Sequence, residues 1–391
     1  MSYTATLPFD RGPLHPIRPV HYSYDPVHTT PDSPKHDLFD YLSTAAKEDP
    51  ALHRSSFCLE PEKLGVSWQT FFPACRQSRQ WRDAEDAAQE LTDKLFRTGG
   101  SSRNGYCKKW RDLAEILQVV EMAVACAVYT YPRADVVRIR LLAQLHVVIW
   151  IHDGIVEREQ GEPGKDRSFP PTPTRNGSHV KSNSICGIIS SILQEILQVD
   201  STIGFDVAAG ALKWHRMSRA HCNSDPTINR FMTLSDYLEA RIGDPATDIH
   251  LSMIRFAASI HLSHEQGQDP ILKDIVSLWA KHRIIVNDLF SYEKECLEHA
   301  VHDSAIVNVV KFLQGELDVS LETAKEVARN IQLDTEREIH GLYKDILNRT
   351  GPDSTDARYV RALVESLAGN VFSSSTAGRN AMPLVGRSAD G

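Results

Sequence analysis

The sequence predicts an all-α fold, and three observations carry that expectation. Apolar residues recur at i, i+3 and i+4 over several turns at a time through most of the chain. No run of alternating Val, Ile, Thr and Tyr bounded by tight turns is present to build a sheet. No internal repeat of fixed period appears, which argues against a solenoid or propeller. With 391 residues, 41% of them hydrophobic, the chain can bury one large core.

Residues 1–36 hold Pro8, Pro13, Pro16, Pro19, Pro26, Pro31 and Pro34 with little periodicity, and read as a proline-rich arm lying across the body. The helical domain spans 37–380, and 381–391 form a flexible C-terminal tail. Trp68 to Thr98, Asp112 to Tyr129 and Arg133 to Glu159 are amphipathic helices in turn. Leu141 to Ile151 is apolar on more than one face, which puts it at the centre of the domain. Gln160 to Asn183 then breaks the pattern with Gly161, Pro163, Gly164, Pro170, Pro171, Pro173 and Gly177, a long polar loop. Helices resume at Ile185 to Val199, Thr202 to His221, Leu234 to Ile242 and Thr247 to Glu265. Pro270 opens a long helix running to Glu298, because proline fits the first helical turn. Asp303 to Leu313, Ser320 to Asn348 and Ser354 to Phe372 complete the set, and Ser373 to Gly391 is rich in small residues.

Composition excludes several functions. Lys plus Arg number 43 against 51 Asp plus Glu, a net charge of −8, which argues against a nucleic-acid partner. No apolar run reaches the roughly 18–20 residues of a bilayer span. Met1 to Pro19 lacks the apolar core of a signal peptide. Seven cysteines without a CxxC pair suggest neither a disulfide framework nor a zinc ribbon. A cytoplasmic protein without a stable membrane anchor is expected.

Two polar intrusions interrupt the apolar pattern. Asp153 and Glu157 are four apart and continue the stripe of Leu142, Leu145 and Ile149. A carboxylate on such a stripe needs a cation or a proton if it faces the interior. A helix end emerging into solvent accounts for the same residues equally well. The second intrusion is Asn287, Ser291 and Glu295, spaced i, i+4 and i+8. An amide, a hydroxyl and a carboxylate are hard oxygen donors of the kind magnesium takes. Lys294 beside them can meet a phosphate as a point charge. Ala280, Ile284 and Ile285 set this face near the core.

At these residues a resemblance appears. Asn287-Asp288-x-x-Ser291-x-x-Lys294-Glu295 resembles the NSE metal-binding motif of class I terpene synthases at every defining position. Asp153-Gly154-Ile155-Val156-Glu157 is similar to that family's aspartate-rich motif, with Gly154 where a second Asp is usual. Tyr237 to Arg241, followed by Asp244, resembles the stretch bearing the family's diphosphate-sensing arginine, and Arg241 lies 46 residues before Asn287. Gly369-Asn370-Val371-Phe372 to Arg379-Asn380 is similar to the C-terminal GNxxW…RY segment. Ser373 replaces its tryptophan and Asn380 its tyrosine. The match runs from Leu113 to Asn380 and looks most like fungal single-domain sesquiterpene cyclases, including the divergent group with humulene synthases.

The resemblance implies a helical bundle around a central cavity and a prenyl diphosphate substrate, farnesyl diphosphate before the others. It implies a Mg²⁺ cluster, three ions in that family, on Asp153, Asn287, Ser291 and Glu295, with Glu157 as a further ligand or an outer group. Arg241, Lys294 and Arg379 would bind diphosphate, and Asp244 with Pro245 would form the effector region. Trp150 and Phe372 would offer π faces to a carbocation, with Leu145, Ile149 and Ile284 as cavity wall. Plain core packing explains these five residues as well. His146 and His152 read as helix histidines rather than bases. The product would be a sesquiterpene, a humulene-type macrocycle first, and dimers are common in the family.

Four rival readings remain. A diterpene cyclase would use geranylgeranyl diphosphate. A trans-prenyltransferase would need a second aspartate-rich motif where Asn287 to Glu295 stands. A phosphohydrolase built on His152-Asp153 would need further histidines in a suitable set. A decayed, non-catalytic helical interaction protein would account for Gly154 and Asn380.

Overall fold

The computed structural model describes residues 16–27, 37–97, 113–159, 185–221, 233–242, 246–302 and 306–378. Side chains of 153–159 and 215–221 lie outside that description, as do residues 160–184, 243–245 and 379–391. The expected loop, the effector pair Asp244 and Pro245, and Arg379 therefore fall outside the described residues.

The chain begins with α1 (Tyr41–Glu48), α2 (Pro50–Ser55), β1 (Ser56–Leu59) and β2 (Cys75–Ser78). Helices α3 (Trp81–Arg97), α4 (Leu113–Thr130), α5 (Val136–Glu159), α6 (Ile185–Val199) and α7 (Ser201–His221) follow. Next come α8 (Leu234–Ile242), α9 (Ala246–Ala258), α10 (His264–Gln268) and α11 (Pro270–His302). The described chain closes with α12 (Val309–Leu317), α13 (Leu321–Thr350) and α14 (Thr355–Thr376).

The all-α expectation holds for the body, with one correction. β1 and β2 form a two-stranded antiparallel sheet pairing Ser56 with Ser78 and Leu59 with Cys75. Cys75-Arg76-Gln77-Ser78 is buried at all four positions, so it shows no alternation to read. Arg76 is 1% exposed and donates to the Leu42 carbonyl at 3.1 Å and the Ser56 carbonyl at 3.3 Å. The helix expected from Trp68 accordingly begins at Trp81.

Two further boundaries move for local reasons. The helix expected over Thr247 to Glu265 stops at Ala258, where Ser259 takes φ 51°, and restarts at His264. Ser263 accepts from the Gln266 N–H at 3.1 Å while Gln266 accepts from the Ser263 N–H at 2.9 Å, a capping box. The helix expected from Asp303 begins at Val309, because the Asn308 side chain caps it by accepting from the Val310 N–H at 2.9 Å.

Two helices share the centre. Leu141 to Val148 of α5 is buried, as its two-faced apolar pattern predicts, apart from half-buried Gln144. Helix α14 is buried on nearly every side despite its polar sequence. Its Glu365 meets Arg133 through two bonds, 2.7 and 2.6 Å. Its Gly369 lies against the end of α4, where a Cβ would fall 2.0 Å from the Tyr129 carbonyl oxygen. Only glycine permits that approach.

Packing runs in an arc. Helix α5 packs on α4, α4 on α14, and α14 on α11, whereas α5 and α11 share no comparable interface. The arc sets α4 and α14 between α5 and α11. Residues 16–27 cross the outside: Pro16 accepts from Trp81 Nε1 at 3.1 Å, Tyr24 N–H donates to Ser375 at 2.8 Å, and Asp25 pairs with Arg329 at 2.8 Å.

Candidate functional site

Helix α11 carries the second polar motif along one side. Asn287 at its head is exposed, Ser291 is buried, and Glu295 and Lys294 are half-buried. The Ser291 hydroxyl donates to Glu295 Oε1 at 2.5 Å. The Asn308 amide donates to Glu295 Oε2 at 3.3 Å and to the Asp288 carbonyl at 2.7 Å. Lys294 lies 3.4 Å from Glu298, one turn on.

Asp288 binds this helix to its neighbours. It is fully buried, and each carboxylate oxygen is engaged. Oδ1 accepts from Arg241 Nη2 at 2.9 Å; Oδ2 accepts from the Tyr237 hydroxyl at 2.5 Å and the Val309 N–H at 2.9 Å. Tyr237 and Arg241 stand four apart on α8, so one face of α8 meets α11 through a single carboxylate. Burial and the Asp288 charge push the Tyr237 hydroxyl well above its usual range, so it stays a donor. Arg241 is thereby held beside the motif with 27% of its side chain still exposed.

Electrostatics distinguish Glu295 from Asp288. Burial, then the nearby Asp288 charge, raises Glu295 to about 7, against the opposing pull of Ser291, Lys294 and Arg241. A carboxylate so placed lacks positive charge, and a hard divalent cation supplies it. The donors along the stripe are all oxygens, so Asn287, Ser291 and Glu295 fit such an ion. Among the described residues no cluster of three His, Cys, Asp or Glu side chains could hold a metal, as expected for a motif with one carboxylate.

The other half lies on α5. Asp153 and Glu157 belong to its last two turns, but their side chains lie outside the described residues. Below them Leu145 is 2% exposed, while Ile149 and Trp150 are half-buried at the edge of the core. Across the arc, Ile284 is half-buried and packs in the cluster around Tyr237 and Leu289. Phe372 is fully buried, with ring centroids 4.7 Å from Tyr129 and 6.2 Å from Trp68. His146 accepts or donates one bond with the Tyr131 hydroxyl at 3.1 Å, and the ring of His152 lies 4.5 Å from that of Trp214.

Sequence reasoning brought Arg241, Lys294, Asn287, Ser291 and Glu295 to one neighbourhood; it quoted Asp288 and Tyr237 in the same motifs without a role and did not name Asn308. Asp288, Tyr237 and Asn308 brace the motif without standing on its stripe. Asp288 was legible as a carboxylate between apolar Val286 and Leu289, the same signal that marked Asp153. Asn308 offered none, since its partner lies 20 residues away.

Known proteins bear on the family and the fold. Residues 172–338 match the family described as terpene synthase family 2, C-terminal metal binding. Terpene cyclase 6 of Gibberella fujikuroi is 28% identical over 369 residues, covering 93% of this chain and 95% of its own. Terpene cyclase aneC of Aspergillus aculeatus is 27% identical over 372 residues, covering 92% and 83%. In fold, aristolochene synthase from Penicillium roqueforti superposes with a TM-score of 0.54 at 20% identity, covering 73% of this chain and 93% of its own. The family match, these relatives and the shared fold support a class I terpene synthase. Within that class, these relatives are fungal terpene cyclases; the matched metal-binding domain implies a divalent metal, and terpene synthases act on prenyl diphosphates. No helix among the described residues is long and apolar enough to cross a membrane.

Proposed function

We propose that this enzyme ionises farnesyl diphosphate with Mg²⁺ and cyclises the resulting carbocation to a sesquiterpene, with a humulene-type macrocycle as the product. One observation carries the reading: Ser291 and Glu295 present oxygen donors on α11 while Asp288 anchors Arg241 beside them. Asn287, Ser291 and Glu295 would hold one part of a three-ion cluster, and Asp153, with Glu157, the other. Bound Mg²⁺ would neutralise charge developing on the diphosphate oxygens. Arg241, Lys294 and Arg379 are assigned to those same oxygens, where an arginine fork suits a phosphate better than a point charge.

The protein's own share is orientation and exclusion of water. Leu145, Ile149 and Ile284 line the apolar wall in this reading, and Trp150 and Phe372 supply π faces that offer no nucleophile. Asp244 and Pro245 form the effector region at the break between α8 and α9. The 1–36 arm, the 37–380 catalytic domain and the 381–391 tail belong to the same proposal, as do a homodimer and a cytoplasmic location. A helical domain of this size favours the C15 substrate over the C20 one.

The test is incubation with Mg²⁺ and each of the C10, C15 and C20 diphosphates, read by gas chromatography–mass spectrometry beside Asn287→Ala. A cyclic C15 hydrocarbon that disappears in the variant is the expected result. Products from the C20 diphosphate alone would make this a diterpene cyclase. No turnover with any of them would overturn the enzyme reading.

A further inference from the structure

A cavity of about 450 Å³ lies where α7, α9 and α10 meet the first turns of α11 and α14. That volume is in the range of small-molecule sites. Val276, its last residue on α11, precedes Asn287 by eleven residues, about 16 Å along the helix. Asp248, Ser252 and Arg255 line it from one face of α9, spaced i, i+4 and i+7. His250, on another face of α9, packs on His146 of α5 with ring centroids 5.7 Å apart. The cavity is thus separate from both polar motifs.

Leu251, Leu262, Leu272 and Val276 give the cavity an apolar wall, and Tyr359 of α14 completes it with 4% of its surface exposed. A tyrosine hydroxyl buried to that degree ordinarily has a partner. This one makes no hydrogen bond among the described residues, and its oxygen is not sealed inside the core, so the cavity is where it opens. Burial raises the hydroxyl to about 12, against the opposing charge of Arg255, and it stays a donor. Arg255 shares the wall. Its Nε donates to the Ile260 carbonyl at 3.4 Å and its Nη1 to Asp206 at 2.9 Å, which leaves Nη2 without a hydrogen bond among the described residues.

We propose that this cavity is a second binding site, one that takes an amphipathic monocarboxylate with its apolar tail along the leucines and its head between Tyr359 and Arg255. Both polar groups on offer are donors, so the head must accept. A planar carboxylate matches the free edge of a guanidinium. Charge selects a monoanion. Lys213 is neutralised by Asp248 at 2.5 Å and Arg255 by Asp206 at 2.9 Å, whereas Lys273 meets only the side-chain carbonyl of Gln268 at 2.6 Å. Three cations face two acids around the cavity, an excess of one. A diphosphate would carry more charge than that excess balances, and a hydrocarbon would leave both donors unused. The ligand is therefore neither substrate nor product of the proposed cyclisation, and the site stands without that reading.

Calorimetric titration of octanoate and of octanol into the full chain tests the site. Octanoate should bind wild type, and octanol should bind at least about 10-fold more weakly because it lacks the charged acceptor. Tyr359→Phe should lower octanoate affinity by about 10-fold, the scale of one hydrogen bond to a charged group. The same variant should keep the wild-type thermal midpoint, since the hydroxyl it removes bonds to nothing in the protein. Arg255→Lys keeps a cation beside Asp206 and loses the fork, so it should weaken octanoate as well, and it decides the question if Tyr359→Phe does not fold. No octanoate binding to wild type overturns the proposal. Binding that both variants leave unchanged places the probe elsewhere and overturns it too. Octanol binding as tightly as octanoate overturns the assignment of a carboxylate.

Discussion

Each side of α11 meets an acid, Glu336 of α13 behind it and half-buried Glu295 in front, and the two are furnished differently. Behind the helix, Glu336 is fully buried and takes His282 Nε2 and Gln332 Nε2 at 2.9 Å on one oxygen, and the Phe71 N–H at 2.7 Å on the other. Arg329, two turns away, joins Asp25 at 2.8 Å and the Gln69 carbonyl at 3.1 Å. In front, among the described residues, Glu295 receives the Ser291 hydroxyl and a long bond from Asn308, and it faces Asp288. The contrast separates scaffold from site. A carboxylate whose donors are complete holds helices together, whereas one short of positive charge is placed for a ligand.

The largest effects should split along that contrast. Glu295→Ala should lower kcat by about 10²–10³-fold, the scale of losing a transition-state stabiliser, and leave the thermal midpoint nearly unchanged. Steady-state kinetics beside a melting curve checks both halves. Glu336→Ala should do the reverse, costing about 3–5 kcal/mol in denaturant unfolding because His282 and the Phe71 N–H lose a buried partner. A Glu295 variant that melted as early as the Glu336 variant would erase the distinction between the two sides.

Asp288 tests the boundary, since it belongs to the scaffold by its bonding and to the site by its position. Asp288→Ala should destabilise by about 3 kcal/mol and also release Arg241, raising KM for the diphosphate. Gly369→Ala comes next. A methyl group aimed at the Tyr129 carbonyl should cost about 1–3 kcal/mol of overpacking, read as a lower unfolding midpoint. Least affected should be the exposed pair Arg337–Asp334, 58% and 64% exposed. Although its atoms lie 2.6 Å apart, Arg337→Ala should change stability by under about 1 kcal/mol.

What was legible in the sequence follows the range of the interactions. Asn287, Ser291 and Glu295 could be seen because one helix spaces them, and the long helices because their apolar period runs for many turns. Asp288 meets Tyr237 across 51 positions and Glu336 meets His282 across 54, distances over which no periodicity speaks. The β1–β2 sheet escaped because both faces of β2 are buried and its residues are polar. Helix α14 was expected as a helix but not as a centre. Glu365, Arg361 and Ser366 look like surface residues until Arg133, Tyr343 and Trp279 are seen to receive them.

The most direct test is a calorimetric titration of inorganic diphosphate into the protein with and without Mg²⁺. If the front of α11 is a metal and diphosphate site, binding should need Mg²⁺ in wild type and should vanish in Asn287→Ala. Equal binding without Mg²⁺, or binding that survives Asn287→Ala unchanged, would contradict the account.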